Sequence, residues 1–100
     1  MNRIALTKLL KKCDEVSQVL KSLSHPVRLK VLCYVMDEAK TVNDLTEFCG
    51  ISQSAMSQFL ARMRSEGVLS SRKEGTSVYY SLSEPKLKKL LQAVKEIYCP

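Results

Sequence analysis

Apolar side chains recur along residues 4–23 at Leu6, Leu9, Leu10, Cys13, Val16, Leu20 and Leu23. Steps of three and four put them on one stripe of a helix. Lys8, Lys11, Lys12 and Asp14 lie off the stripe. A second helix opens at Ser24-His25-Pro26, because proline's missing amide proton has no intrahelical acceptor at the first helical position. Leu29, Leu32, Cys33 and Met36 carry its stripe, and Val31 and Val35 widen it. Asp37 and Glu38 then lead out toward solvent. Thr41 and Asp44 have the spacing of a capping box, with Asp in place of Glu. They start a third helix that runs to about Cys49, and Gly50 is suited to the position just past its end. Ser52 caps a fourth helix over about residues 53–66. That helix turns Met56, Phe59, Leu60 and Met63 inward, and Gly67 ends it.

The period then changes from helical to alternating. Residues 68–73 and 77–82 are rich in β-formers, and Glu74-Gly75-Thr76 between them reads as a turn. Ser83 is expected to cap a last helix carrying Leu87, Leu90, Leu91, Val94 and Tyr98. The predicted fold is mainly α with a small β-hairpin, in the order α-α-α-α-β-β-α. It forms one domain over residues 1–100. Two short helices joined across Phe48-Cys49-Gly50-Ile51-Ser52 read as a helix-turn-helix. The hairpin that follows makes it a winged helix.

A helix with a polar outer face fits the DNA major groove, and a basic wing can meet phosphate. The candidate DNA-binding residues are Ser52, Gln53, Ser54, Ser57, Gln58 and Arg62 on the fourth helix. Arg72, Lys73 and Thr76 on the wing complete the set. Composition refines this reading only slightly. The chain has 100 residues and a formal charge of +6, and a basic surplus favours a polyanionic partner. Yet residues 51–75 set Arg62, Arg64, Arg72 and Lys73 against Glu66 and Glu74. That segment is only mildly basic, so the case for double-stranded DNA rests on the motif. A chain this short also leaves much surface open, which a second subunit would help to cover.

No apolar run approaches the ~18–20 residues that span a bilayer. The amino-terminal stretch has no apolar core or cleavage site of a signal peptide. The expectation is a cytoplasmic protein with no membrane partner. In that reducing setting Cys13, Cys33, Cys49 and Cys99 are core thiols, ligands or redox sensors rather than a disulfide framework. No pair is spaced as Cys-x-x-Cys and the one histidine is His25, which excludes the commonest closed zinc patterns. A thiol enzyme would need a nucleophile beside a base, so no enzyme activity, cofactor, catalytic residue or metal site is expected. His25 reads as a helix-start residue. Cys13 and Cys49 read as structural, with Cys13 a reserve candidate for sensing.

Three stretches carry a family resemblance. They are Leu23-Ser-His-Pro-Val-Arg-Leu29, Gly50-Ile-Ser-Gln-Ser-Ala-Met-Ser-Gln-Phe-Leu60 and Arg72-Lys-Glu-Gly-Thr-Ser-Val-Tyr-Tyr-Ser-Leu82. Together they resemble the ArsR/SmtB family of bacterial winged-helix repressors over nearly the whole chain. The resemblance implies a homodimer joined through the first and last helices, with the fourth helix reading DNA. It puts Gln53, Ser54, Ser57 and Gln58 toward the groove. Phe59 departs from the family pattern, which commonly has His there, and is expected to pack inward.

Many members of that family sense metals. One family site needs two cysteines separated by one residue on the third helix, where Asp44-Leu-Thr-Glu-Phe-Cys49 has one. Another needs Asp and His on the last helix, and residues 84–100 contain neither. The positions of Cys33 and Cys99 are similar instead to the persulfide-sensing branch, the BigR, SqrR and HlyU type. There two such cysteines react with sulfane sulfur and become bridged, which weakens DNA binding. Cys33 and Cys99 are therefore the candidate sensing thiols, with reactive sulfur species as the partner. A simple disulfide needs their Cα atoms within about 7 Å, a limit that inserted sulfur relaxes. A metal-sensing or general redox-sensing repressor of this family is the alternative, as is a winged-helix adaptor that binds protein.

Overall fold

The computed structural model describes residues 1–100. Helix α1 spans Arg3–Leu23, with the Asn2 side chain accepting from the Ala5 amide at its start. Helix α2 spans Pro26–Tyr34. His25 caps it, Nδ1 accepting from the Val27 amide at 3.1 Å. Strand β1 is Lys40–Thr41, helix α3 Val42–Cys49 and helix α4 Gln53–Ser65. Strands β2, Leu69–Glu74, and β3, Ser77–Leu82, form the hairpin, and helix α5 spans Pro85–Tyr98. Between α3 and α4 the chain turns at Gly50, whose φ of 67° is a left-handed conformation that an L side chain resists.

The expected order holds with one addition. The three strands form an antiparallel sheet in the order β1-β3-β2, with Thr41 opposite Tyr79 and Arg72 also opposite Tyr79. Strand β1 is two residues long, below any length at which alternation can show in sequence. It closes the free edge of β3 and leads directly into the α3 cap.

One cluster of buried apolar side chains holds the elements together. Val31, Leu32 and Val35 from α2 and its end meet Leu45 from α3. Met56, Leu60 and Met63 enter from α4, Val68 and Leu69 from the hairpin, and Leu87 and Leu91 from α5. Steps of 4 and 3 from Met56 to Leu60 to Met63 make them one helical stripe, as predicted. Phe59 departs from expectation. It is half-buried and outside the cluster, its ring packed against His25 with centroids 5.0 Å apart. One residue before Leu60, it falls beside the buried stripe rather than on it, and meets the start of α2.

Ser83 also departs from expectation. Helix α5 is preceded by Glu84, which makes no side-chain cap, and Pro85 needs no cap at the first position. The Ser83 amide instead donates to the Val68 carbonyl at 3.3 Å, and its hydroxyl donates to the Gly67 carbonyl. The amide bond continues the β2–β3 ladder by a residue and the hydroxyl bond reinforces it, so strand closure claims Ser83 before the helix can.

The stripe of α1 lies mostly open. Leu6, Leu9, Leu10, Val16 and Leu20 are exposed, and only Val19 and Leu23 near its end touch the core. At the other end of the chain Ile97 and Tyr98 are exposed too. No helix is long and apolar enough to cross a membrane. Because Leu60 is fully buried at the centre of the cluster, Leu60→Ala should cost about 2–5 kcal/mol of unfolding free energy. Urea denaturation of the two proteins measures it.

Candidate nucleic-acid interface and thiol sites

The reading face is built outward from the core. With Met56, Leu60 and Met63 pinned inside, helical geometry turns Ser54, Ser57, Gln58 and Arg62 to solvent, and all four are exposed. At the start of α4 the Ser52 hydroxyl accepts from the Ala55 amide at 3.1 Å. Ser52 is thus committed to capping, and Gln53 beside it is exposed and free. Gln58 and Arg62 share a groove of about 930 Å³ with Lys21, His25, Arg28 and Glu66, between the junction of α1 with α2 and the flank of α4.

The wing residues Arg72, Lys73 and Thr76 are exposed on or beside the hairpin tip, and β2 packs against α4. The Arg72 guanidinium lies over the Tyr79 ring, 5.1 Å from its centroid, and its Nη2 is 3.3 Å from Glu74 Oε2. An exposed pair of this kind is worth little and yields readily to another anion. Lys73 has no carboxylate partner.

Upstream, α3 begins with a complete capping box. The Thr41 amide donates to Asp44 Oδ2 and the Asp44 amide donates to Thr41 Oγ1, both at 3.1 Å. The bond from the Thr41 amide, then that from its hydroxyl, then nearby Lys40 pull the Asp44 carboxyl below its ordinary value of 3.8. Asp37 and Glu38, expected as a solvated exit, are exposed, and each meets a lysine, Lys88 and Lys40 respectively. Lys40 also lies over the Tyr34 ring, which stacks on Phe48 with centroids 3.9 Å apart.

All four cysteines are free thiols. Cys33 and Cys99 are both exposed, one on α2 and one just past α5. Cys33 therefore belongs to the surface rather than to the core, although its surroundings exclude enough water to push its thiol above the ordinary 9.0. Burial pushes the Cys49 thiol up as well, opposed by nearby Lys30. Cys49 is half-buried against the core, as a structural residue should be. Cys13 lies on the open stripe of α1. It is exposed with the rest of the α1 stripe, its Sγ 3.4 Å from the Leu9 carbonyl. No group of three or more His, Cys, Asp or Glu is arranged to hold a metal ion.

One charged group escaped the reading of the sequence. Arg28 is buried beneath the groove and bonded to Ser22 and Glu66. Its one signal was an arginine within an apolar-faced helix, which gives no hint of partners at positions 22 and 66.

Comparison with known proteins agrees with this geometry. Residues 25–71 match the family model described as "Bacterial regulatory protein, arsR family". The chain is 35% identical to the HTH-type transcriptional regulator YgaV of Escherichia coli K12, over 95% of this chain and 97% of that protein. Its fold superimposes on the transcriptional repressor BigR from Xylella fastidiosa with a TM-score of 0.89, at 34% identity, covering 100% of this chain and 99% of that one. Reduced HlyU from Vibrio cholerae matches with a TM-score of 0.85, at 32% identity, over 93% and 98% of the two chains.

The capping box makes a pH-dependent prediction. A carboxyl held below its unfolded value stabilises the fold above that value and loses the effect as pH falls through the lowered one. Asp44→Ala should therefore lower the thermal midpoint near neutral pH, and the gap from wild type should narrow as pH drops below about 4. Calorimetric scans at several pH values measure the gap.

Proposed function

The chain belongs to the arsR family of bacterial regulatory proteins, and on that premise we propose a DNA-reading homodimer whose affinity is switched by sulfur chemistry at Cys33 and Cys99. It is a DNA-binding transcriptional regulator. The observation that carries the finer reading is the pair of exposed, unbridged thiols on α2 and at the end of α5. A reduced form of the Vibrio cholerae relative HlyU is in keeping with a thiol-dependent state.

In this reading the protein works in the cytoplasm as one winged-helix unit per chain. Two chains meet through the open apolar stripe of α1 and the exposed end of α5, which sets two α4 helices side by side. Gln53, Ser54, Ser57 and Gln58 face base edges in the major groove, with Arg62 beside them and Ser52 holding the start of the helix. Lys73 and Thr76 meet the backbone, and Arg72 exchanges Glu74 for phosphate while remaining stacked on Tyr79.

The switching chemistry balances without a cofactor. The Cys99 thiolate attacks the outer sulfur of a low-molecular-weight persulfide, R–S–SH, and expels the thiolate RS⁻. The Cys33 thiolate then attacks the Cys99 sulfur and expels hydrosulfide. Two thiols are oxidised to a disulfide and the sulfane sulfur is reduced to hydrogen sulfide. Further persulfide equivalents would leave sulfur atoms within the bridge. The bridge joins α2 to the end of α5, and it lowers DNA affinity because it favours a state in which the two α4 helices no longer match the operator.

Two experiments test these assignments. In a gel-shift assay, a persulfide donor should release wild-type protein from DNA, while Cys33→Ser and Cys99→Ser remain bound. Release should quicken as pH rises toward and past 9.0, because the Cys33 thiol is held high and its thiolate is the attacking form. Equal release of either serine variant would overturn the pairing. For DNA reading, Gln58→Ala should lose about 1–3 kcal/mol of discrimination between specific and random DNA. Lys73→Ala should weaken both alike and reduce the salt slope by about 1. Fluorescence anisotropy over a salt series separates the two effects.

A further inference from the structure

Arg28 is 8% exposed and is the single charged residue in the buried set, where Ser22 is the other polar member. From α2 its Nε donates to the Ser22 carbonyl at 2.7 Å, and its Nη2 donates to Ser22 Oγ at 2.8 Å. Nη2 also bonds Glu66 Oε1, and Nη1 reaches Glu66 Oε2 at 3.5 Å. Ser22 Oγ is 3.4 Å from the same Oε1, which closes a triangle. Ser22 lies in the last turn of α1, and Glu66 is the residue that ends α4. No other hydrogen bond or ion pair joins these two helices and their caps. One planar guanidinium fork therefore ties the element with the bare apolar stripe to the element with the polar reading face.

The chemistry suits a positioning role. A guanidinium holds two partners in fixed directions, which a lysine ammonium does not. A buried arginine is tolerated because it is paired, and removing its carboxylate leaves an uncompensated charge that pushes the assembly to rearrange. Helix α4 has 13 residues, about 20 Å of rise, so a tilt of a few degrees at its clamped end moves the far end by an ångström or more. Gln53 and Ser54 stand at that far end.

We propose that Arg28 is a positioning residue for DNA reading: the Ser22–Arg28–Glu66 clamp sets the pitch of α4 against α1, and thereby the separation of the two reading helices in the dimer. The inference rests on the dimer through α1 proposed above. What the clamp fixes is the half-site spacing that the protein prefers, rather than the bases it prefers within a half-site.

The test starts from duplexes that the wild-type protein selects out of a random DNA library. Binding is measured on the selected spacer, on spacers one base pair shorter and longer, and on a lone half-site. Sedimentation gives the oligomeric state of each protein. Glu66→Ala is the deciding variant, because its side chain is 40% exposed and lies outside the apolar cluster. It should bind the selected spacer about tenfold more weakly and lose most discrimination among spacers, with half-site affinity unchanged. Arg28→Lys should fall between wild type and Glu66→Ala, since an ammonium reaches some of the partners. A dimeric Glu66→Ala protein with the wild-type spacing profile overturns the clamp and leaves the dimer standing. Equal loss on half-site and full site also overturns it, because a merely structural role gives that result. A monomeric wild-type protein overturns the dimer itself, and the clamp with it.

Discussion

The arrangement depends on three side chains. Met56, Leu60 and Met63 are fully buried, and they fix which way the rest of α4 faces. A helix cannot turn its polar face to DNA unless something holds the opposite face still, and here the holding is done by apolar burial. The same cluster takes in Leu32 from α2, Leu45 from α3, Leu69 at the start of the wing and Leu91 from α5. Every element of the proposed DNA-reading unit is thus moored at one place. Hydrogen bonds at the ends of the helices then refine angles that the core has already set.

Much of this was legible in the sequence, for identifiable reasons. A capping box and a left-handed Gly50 act within a few residues, so their signals are local and survive in a linear reading. So do helical stripes. The failures occur where a residue answers to something far along the chain. Ser83 bonds to residues 67 and 68, and nothing near it in sequence predicts that. Phe59 answers to His25, and β1 is strand only because Tyr79 and Tyr80 lie opposite it. The exposure of Cys33 shows the limit of periodicity. It fits the apolar spacing of α2 but lies on the surface, only partly covered by its surroundings. On the candidate site, the exposed reading residues follow from the α4 stripe alone. The buried arginine beneath them does not, because its partners lie 6 residues behind and 38 ahead.

The two proposed chemistries lie on different elements of the fold. The reading face is polar and wet, and its most organised cation, Arg72, is held by an aromatic ring and a weak ion pair that phosphate can replace. The two proposed sensing thiols lie on α2 and just past α5, on other elements than the candidate DNA-binding residues of α4 and the wing. In the proposed switch, a chemical event at sulfur therefore acts through the packing of helices. Such transmission works only where packed elements have discrete arrangements rather than a continuum of them. The raised thiol of Cys33 adds a further restraint, because little of it is thiolate at neutral pH.

The bare stripe of α1 has a consequence beyond geometry. Its side chains gain roughly 25 cal/mol per Å² when covered, and in a chain of this size that is not a minor share of the stability. Once pairing supplies the cover, protein concentration enters the stability directly by mass action. In the proposed dimer, dilution would then loosen the fold and separate the two reading heads together. Occupancy of the operator would respond steeply to copy number, so that a cell making slightly more or less of this protein would pass quickly between repressed and open promoters.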